Sequence, residues 1–370
     1  MVVNPMPEIQ DIFNAIKPVG LSLEQNKAFF AIRSCRTDTL GSHVDRCDSC
    51  EHIHISYNSC RNRHCPKCQG SKQQEWVEAQ LSKLLPVGYF HVVFTLPQEL
   101  NSIVFQNHDI LYSILLKSAG DTIIELAKDP KFLGAQTGVT AVLHTWGQNL
   151  SFHPHVHCLL PGGGLSMDGL RFIKSSKKFF IPVKVISRKF RGKFLFHLKN
   201  AWRNGEIKFF SSPEPAHEVN FLNLLSTLYQ KEWVVYCKKP FKSPWHVVSY
   251  MGRYTHKVAI ANSRIVDFNE STVTFKWKDY RDHNQVKLMT LDVTEFVRRF
   301  LQHVLPSGFT RIRHYGLLSS RNVGTKLARC IKLAGVRPVV PKIVKHVSIC
   351  HLCGGVMVFV GVIDRAVAVT

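Results

Sequence analysis

Acidic side chains are scarce in this chain: 26 Asp and Glu stand against 48 Lys and Arg, leaving a formal charge of +22 over 370 residues. An imbalance of that size points to a polyanionic partner, DNA or RNA first, and predicts binding that weakens as salt rises. A basic ribosome-associated or membrane-surface protein has the same balance, so charge fixes the class of partner and leaves the activity open. Long apolar runs are also missing, and none approaches the roughly 20 residues that span a bilayer. The start, Met1 to Ile12, carries acidic residues and two prolines where a secretory signal would be basic and then apolar. A cytoplasmic, nucleoid-associated bacterial protein with no membrane partner is expected. No fixed-period repeat occurs, which excludes a solenoid. No phosphate-binding loop occurs either, which excludes a fused helicase and a nucleotide cofactor. Between Lys131 and Met167 there is no Asp or Glu at all, so the carboxylate cluster of a two-metal nuclease cannot be assembled there.

Cysteine is plentiful and unevenly placed. Six of the eleven lie between Cys35 and Cys68, and in a reducing compartment such crowding points to metal before disulfide. Cys47-x2-Cys50, fourteen intervening residues and Cys65-x2-Cys68 give the two-knuckle spacing of a four-thiolate zinc site. A short hairpin, His52 to Tyr57, fits between the knuckles. Cys35, His43, Cys60 and His64 are four further ligand types in the same stretch and make a second zinc conceivable. Cys350-x2-Cys353 is a half-site with no evident second pair, read here as a decayed or trivial feature.

Hydrophobic patterning divides the rest. Helices are expected at Ile9 to Ile16, Leu23 to Arg33 and Ser71 to Leu84, completing a small metal-organised module. Tyr89 to Leu96 reads as a buried strand that opens a second domain. An apolar helical stretch, Ile103 to Ala127, precedes strands at Val139 to Trp146 and His155 to Leu160. Gly169 to Gly205 holds eleven Lys and Arg and no acid, interleaved with Phe172, Phe179, Phe180, Phe190, Phe194, Phe196 and Trp202. That mixture suits a single-strand groove, and an amphipathic helix with a solvated basic face reads equally well. A helix at Glu218 to Glu232, a strand at Trp233 to Cys237 and a helix from Ser243 to Thr255 follow. Strands at Val258 to Ala261, Val273 to Trp277 and Val286 to Leu291 precede a helix from Thr294 to Val304. The tail beyond Ser307 is basic and less regular. The whole is α+β, with a central antiparallel sheet flanked by helices.

Two clusters carry chemistry. In His153-Pro154-His155-Val156-His157, strand alternation puts the imidazoles on one face, where His155 and His157 bite one divalent ion. Gln148 or His153 is the third ligand. Neutral ligands leave positions open for a phosphate oxygen, which suits Mg2+ or Mn2+ as a Lewis acid. Tyr250 and Tyr254 stand one helical turn apart and project from one face. Val247 and Met251 share that stripe, so the helix alone reads first as core packing. A phenolate there is nonetheless able to attack a phosphodiester in line, with Arg253, His256 and Lys257 beside it to hold flanking phosphates.

The chain resembles the two-tyrosine rolling-circle transposases of bacterial insertion sequences, relatives of HUH replication initiators, relaxases and Helitrons. The resemblance rests on S-C-R-N-R-H-C-P-K-C-Q (Ser59 to Gln69), F-H-V-V-F-T-L-P (Phe90 to Pro97), H-T-W-G-Q-N-L (His144 to Leu150), H-P-H-V-H-C (His153 to Cys158), Y-M-G-R-Y-T-H (Tyr250 to His256) and R-I-R-H-Y-G (Arg311 to Gly316). It implies that His155 and His157 are the metal pair, that Tyr250 and Tyr254 are the nucleophiles, and that the cysteine knot belongs to a transposase zinc-binding domain. The expected division is a zinc-binding DNA-recognition module over 1–85, an HUH tyrosine nuclease over 86–305 with a basic insertion at about 169–240, and a basic segment over 306–370. The partners implied are single-stranded element ends and target DNA. Arg61, Arg63, Lys67, Arg188, Lys189, Arg191, Lys193, Arg253 and Lys257 are the cations expected on that DNA. A plasmid replication initiator or relaxase of the same chemistry, and a non-enzymatic zinc-finger DNA-binding protein, are the alternatives.

Overall fold

The computed structural model describes residues 6–175, 181–209, 217–241, 246, 247, 250, 252, 255, 256, 258–280, 282–335 and 347–365, with the backbone alone of 70–72 and 239–241. Helices α1 (Ile9–Asn14) and α2 (Leu23–Arg33) open the chain. Ser22 caps α2, its hydroxyl accepting from the Gln25 N–H while the Gln25 side chain accepts from the Ser22 N–H, a reciprocal cap that fixes where the helix starts. Strands β1 (Ser42–Cys47) and β2 (Ile53–Tyr57) form an antiparallel hairpin, followed by α3 (Gln69–Leu81).

The centre is a five-stranded antiparallel sheet. Its members are β3 (Tyr89–Thr95), β5 (Gly138–Trp146), β6 (Phe152–Pro161), β9 (Val235–Phe241) and β13 (Ile312–Gly316), in the order β13-β5-β6-β3-β9. Strand alternation gives this sheet two unlike faces. On one, Phe90, Val92, Phe94, Ala141, Leu143, Val156, Cys158 and Leu160 are buried in the largest core. That core is closed by α4 (Asn101–Gln106), α5 (His108–Lys128), α6 (Val183–Arg203) and α7 (Glu218–Gln230). The other face carries His91, His144, His155 and His157. The apolar run at 103–127 is broken at Asn107, whose amide donates to Lys208 O at 2.8 Å and accepts from Lys208 N at 2.7 Å.

Two small sheets flank the centre: β4 (Ala135–Gln136), β7 (Gly163–Ser166) and β8 (Phe172–Lys174), and β10 (Ile265–Phe268), β11 (Thr272–Asp279) and β12 (Gln285–Asp292). The second sheet and α8 (Val293–Leu301) pack on α1 and α2 through a separate core in which Phe13 stacks on Phe29 at 4.8 Å and meets Phe300 edge-on at 5.2 Å. The strand expected at 258–261 is a loop: Ala259 and Ile260 plug this core as side chains, and the strand begins at Ile265.

The basic tail is more ordered than expected. β13 is an edge strand of the central sheet, a helical run covers Ser320 to Ala334, and β14 (Met357–Ile363) returns to pair antiparallel with β1. A boundary at 306 therefore cuts off strands that belong to both sheets. The architecture is α+β, with antiparallel sheets throughout the described residues.

Candidate functional site

Pairing of β5 with β6 puts His144 directly opposite His155. One ring nitrogen from each of His144, His155 and His157 lies within 4.8 Å of the others, close enough for one divalent ion to meet all three. The rings are held from behind. His155 Nδ1 sits 2.7 Å from the His153 carbonyl and must donate to it, which leaves Nε2 as the ligand atom. His157 Nδ1 is 2.8 Å from His91 Nε2, the two rings within 8° of coplanar. Burial drives the His91 imidazole down to about 4, so it is neutral at ordinary pH. Among the described residues no carboxylate joins the cluster, and the donor set fits a divalent ion that keeps positions for phosphate oxygens.

His153, one of the two third ligands expected from sequence, is not in this group. Between the pairs His144/His155 and Trp146/Phe152 the register slips, so a bulge at 153–154 takes the His153 ring out of the alternation and leaves its carbonyl as a support. Gln148 sits in the turn, where its amide donates to the Tyr280 hydroxyl at 3.1 Å. His144 had a signal in sequence, since it lies before a turn that folds it back onto His155, but the bulge decides the register.

Tyr250 is helical and half-buried on the same side of the sheet. Its ring meets His91 edge-on at 5.5 Å, and the Lys238 ammonium lies over it at 5.2 Å. The segment is pinned from three directions. Val247 and Tyr250 pack with Val77 and Leu81 of α3, the Arg311 guanidinium donates to the Thr255 carbonyl, and Trp76 approaches the His256 ring at 6.4 Å. Gly252 faces α3 so closely that a Cβ would come within 2.5 Å of Val77 Cγ2. Tyr250 is therefore both packed and turned to the histidines. Tyr254, Arg253 and Lys257 lie outside the described residues.

The expected zinc set does not come together as one site. Cys65 and Cys68 join Cys35 and Cys60, while Cys47 and Cys50 meet Cys350 and Cys353. The hairpin β1–β2 carries the first knuckle away from the second, which is why the spacing misled. In the first cluster Cys68 Sγ is 3.4 Å from Cys35 Sγ and 3.6 Å from Cys60 Sγ, near the roughly 3.8 Å edge of a tetrahedron with Zn–S at 2.3 Å. Hydrogen bonding from Cys65 draws the Cys60 thiol down to about 5, and the same contact pushes Cys65 up. A zinc ion fits where these thiols otherwise compete for protons. His64 and His43 belong to neither set: a half-buried His64 accepts from Leu305 N at 3.3 Å, and His43 stands on β1 beside Asp45.

Several of the expected DNA cations have structural duties. The Arg63 guanidinium caps the carbonyls of Phe309 and Pro306 at 2.6 and 2.7 Å, and Lys67 pairs with Glu8 at 2.5 Å. On α6, Ile186, Phe190, Phe194, Leu198 and Ala201 form a buried stripe at helical spacing. Lys189 and Lys193 reach Glu125 of α5, and Arg191 bonds the Lys231 carbonyl. Trp202 stacks on Phe221 at 4.6 Å. The aromatics of this helix are thus largely core and not base-stacking platforms; Phe179 and Phe180 lie outside the described residues. Arg188 is exposed on α6, and Arg61 lines a cavity of about 1020 Å3 with Arg36, His54 and Arg365.

Residues 138–325 match the family model described as "Putative transposase", and residues 8–96 match the one described as "Transposase zinc-binding domain". Over 342 residues the chain is 47% identical to the protein named Putative transposase y4qJ of Sinorhizobium fredii, covering 90% of this chain and 86% of that one. The chain belongs to this transposase family. A second relative, the Transposase for insertion sequence element IS801 of Pseudomonas savastanoi pv. phaseolicola, is 28% identical over 350 residues, covering 90% of the transposase and 82% of the relative. No solved structure matches the transposase. The first matched segment contains the three clustered histidines and Tyr250, and the second contains Cys35, Cys60, Cys65 and Cys68. Cys350 and Cys353 lie beyond both. Like its family, the transposase acts on DNA, with strand cleavage and transfer as its chemistry, and its zinc-binding domain holds structural zinc.

Proposed function

We propose that this transposase nicks and rejoins single-stranded DNA at the ends of an insertion sequence through a 5′-phosphotyrosine intermediate, mobilising the element by a rolling-circle-like route. One observation carries the reading: His144, His155 and His157 converge on the sheet face toward which Tyr250 turns, with His91 touching both His157 and the Tyr250 ring. A bound Mg2+ or Mn2+ would polarise the scissile phosphate as a Lewis acid. The three imidazoles hold that position, and His91 with the His153 carbonyl keeps two of them aimed. The phenolic oxygen of Tyr250, or of Tyr254 four residues on in the sequence, attacks phosphorus as the bond to the 3′-oxygen breaks. The phenolic proton goes to solvent, and the departing 3′-oxygen takes one proton from solvent to leave as a hydroxyl. In the reverse step a 3′-hydroxyl attacks the phosphotyrosine and the phenol departs, so rejoining needs no nucleotide.

Arg61, Arg188, Arg253 and Lys257 are the cations assigned to the DNA backbone, and the protein works at the nucleoid in the bacterial cytoplasm. The excess positive charge supports binding, while the histidines support cleavage, so the two should separate. Replacing His155 and His157 together by Ala should abolish Mg2+- or Mn2+-dependent nicking of a single-stranded end and leave DNA affinity and its salt slope near parental. Undiminished nicking by the double variant would contradict the metal assignment.

A further inference from the structure

Cys350-His351-Leu352-Cys353 looks like an isolated half-site until it is set against Cys47-Asp48-Ser49-Cys50. The two turns are built alike. In the first, Glu51 N donates to Cys47 O at 3.2 Å and Cys47 N to His52 O at 2.9 Å; in the second, Gly354 N donates to Cys350 O at 2.9 Å and Cys350 N to Gly355 O at 2.8 Å. Each Cys-x2-Cys is followed by a left-handed residue, Glu51 at φ 60° and Gly354 at φ 78°. Each turns a backbone N–H onto a sulfur at 3.4 Å, Ser49 N to Cys47 Sγ and Gly355 N to Cys353 Sγ. This is the turn that aims two thiolates at one point.

The turns face one another. Cys47 Sγ lies 3.4 Å from Cys353 Sγ and Cys50 Sγ 3.8 Å from Cys350 Sγ, and all four sulfurs fall within 4.8 Å. Those separations are far beyond a disulfide bond of about 2.05 Å and near the edge of a zinc-thiolate tetrahedron, about 3.8 Å. Two further contacts hold the turns in place: Val356 N donates to Asp48 Oδ1 at 3.0 Å, and Asp48 N donates to Val356 O at 3.0 Å. A Cβ at Gly355 would meet Cys47 Sγ at 2.8 Å and Ser49 Oγ at 2.5 Å, so only glycine lets the turns approach this closely.

We infer that Cys47, Cys50, Cys350 and Cys353 form a second tetrathiolate zinc site, separate from the Cys35/Cys60/Cys65/Cys68 site, which clasps the C-terminal strand onto the N-terminal module. Two of its ligands lie about 300 residues along the chain from the other two, so β14 is bound to β1 both by backbone pairing and by metal. The clasp also completes the cavity over this sheet, because Val362, Ile363, Asp364 and Arg365 supply one wall of it.

The full-length protein, purified with zinc, tests this directly. Cys350→Ser with Cys353→Ser should remove one zinc per chain relative to the parent by elemental analysis, and cobalt(II) reconstitution should lose about half of its thiolate charge-transfer absorbance. Should the variant fold poorly, the parent alone still decides the matter by timed alkylation and mass spectrometry. Cys50 and Cys353 are exposed, so only a bound metal would protect them. All four thiols should be alkylated slowly with zinc and become reactive together once a chelator is added. Unchanged zinc content in the variant, or alkylation of Cys350 and Cys353 at the same rate with and without chelator, would overturn the assignment.

Discussion

That His155 and His157 share one face was legible because alternation in a strand is a property of two neighbours. His144 was not, because its place depends on how a turn and a bulge set the pairing of two strands. The distinction is testable residue by residue. His144→Ala should reduce cleavage by at least about 100-fold, as loss of a metal ligand does, whereas Gln148→Ala and His153→Ala should stay within about tenfold of the parent. Loss of activity in Gln148→Ala with retention in His144→Ala would reverse the assignment. His303 raises a second matter at this scale. It is buried between Thr145 Oγ1 at 3.2 Å and the Leu150 carbonyl at 3.1 Å, and burial lowers it from 6.5 to about 4. Below pH 6.5 the unfolded chain takes up a proton that the folded chain refuses until about pH 4, so stability present above pH 6.5 drains away across that window. His303→Gln should therefore lose less stability than the parent when urea midpoints at about pH 7.5 and about pH 5 are compared. Thiolate protonation acts on both proteins alike, and an equal loss in the two would remove His303 from the account.

Among the elements, those with strong local patterns were read to within about two residues: α2, α7 and the strands β3, β5, β11 and β12, while β6 begins three residues before the expected His155. Elements made by distant partners were not. β1 is polar at most positions and β14 is apolar along most of its length though largely exposed, so neither carries the apolar–polar alternation that marks a strand; pairing with a partner about 300 residues away completes both. Of the two readings of the basic segment over 169–205, the amphipathic helix agrees with α6, whose Ile186, Phe190, Phe194 and Leu198 stripe is core. The most consequential contact between elements is that of the Tyr250 segment with α3, which starts at the ligand Cys68 and so links the first cysteine site to the tyrosine. Gly252→Ala would force a methyl against Val77 Cγ2. It should cost about 1–3 kcal/mol of stability by overpacking and slow cleavage with little change in DNA binding. Val77→Ala opens that space, so the double variant should cleave faster than Gly252→Ala alone. Additive losses in the two would show that the contact does not position the segment.

For the molecule as a whole, composition pointed to a nucleic-acid partner and the motifs to a transposase, while strands from the segment beyond 306 pair with β1 and β5. The N-terminal module is completed by the last described strand, and the central sheet by β13, so the chain closes on itself. This arrangement sets a histidine cluster, a packed tyrosine and a zinc-held module on one side of a single sheet. A non-enzymatic DNA-binding protein would give that convergence no purpose, and the decisive measurement is covalent capture. The full chain, a single-stranded element end and Mn2+ should yield protein joined to the 5′ side of the cut. Tyr→Phe at 250 and 254 keeps the rings and most of the packing while removing both hydroxyls. The double variant should bind DNA with near-parental affinity and salt dependence and form no adduct, while each single variant retains part of the activity if the hydroxyls substitute for one another. An adduct, or nicking at the parental rate, in the double Tyr→Phe variant would contradict the account.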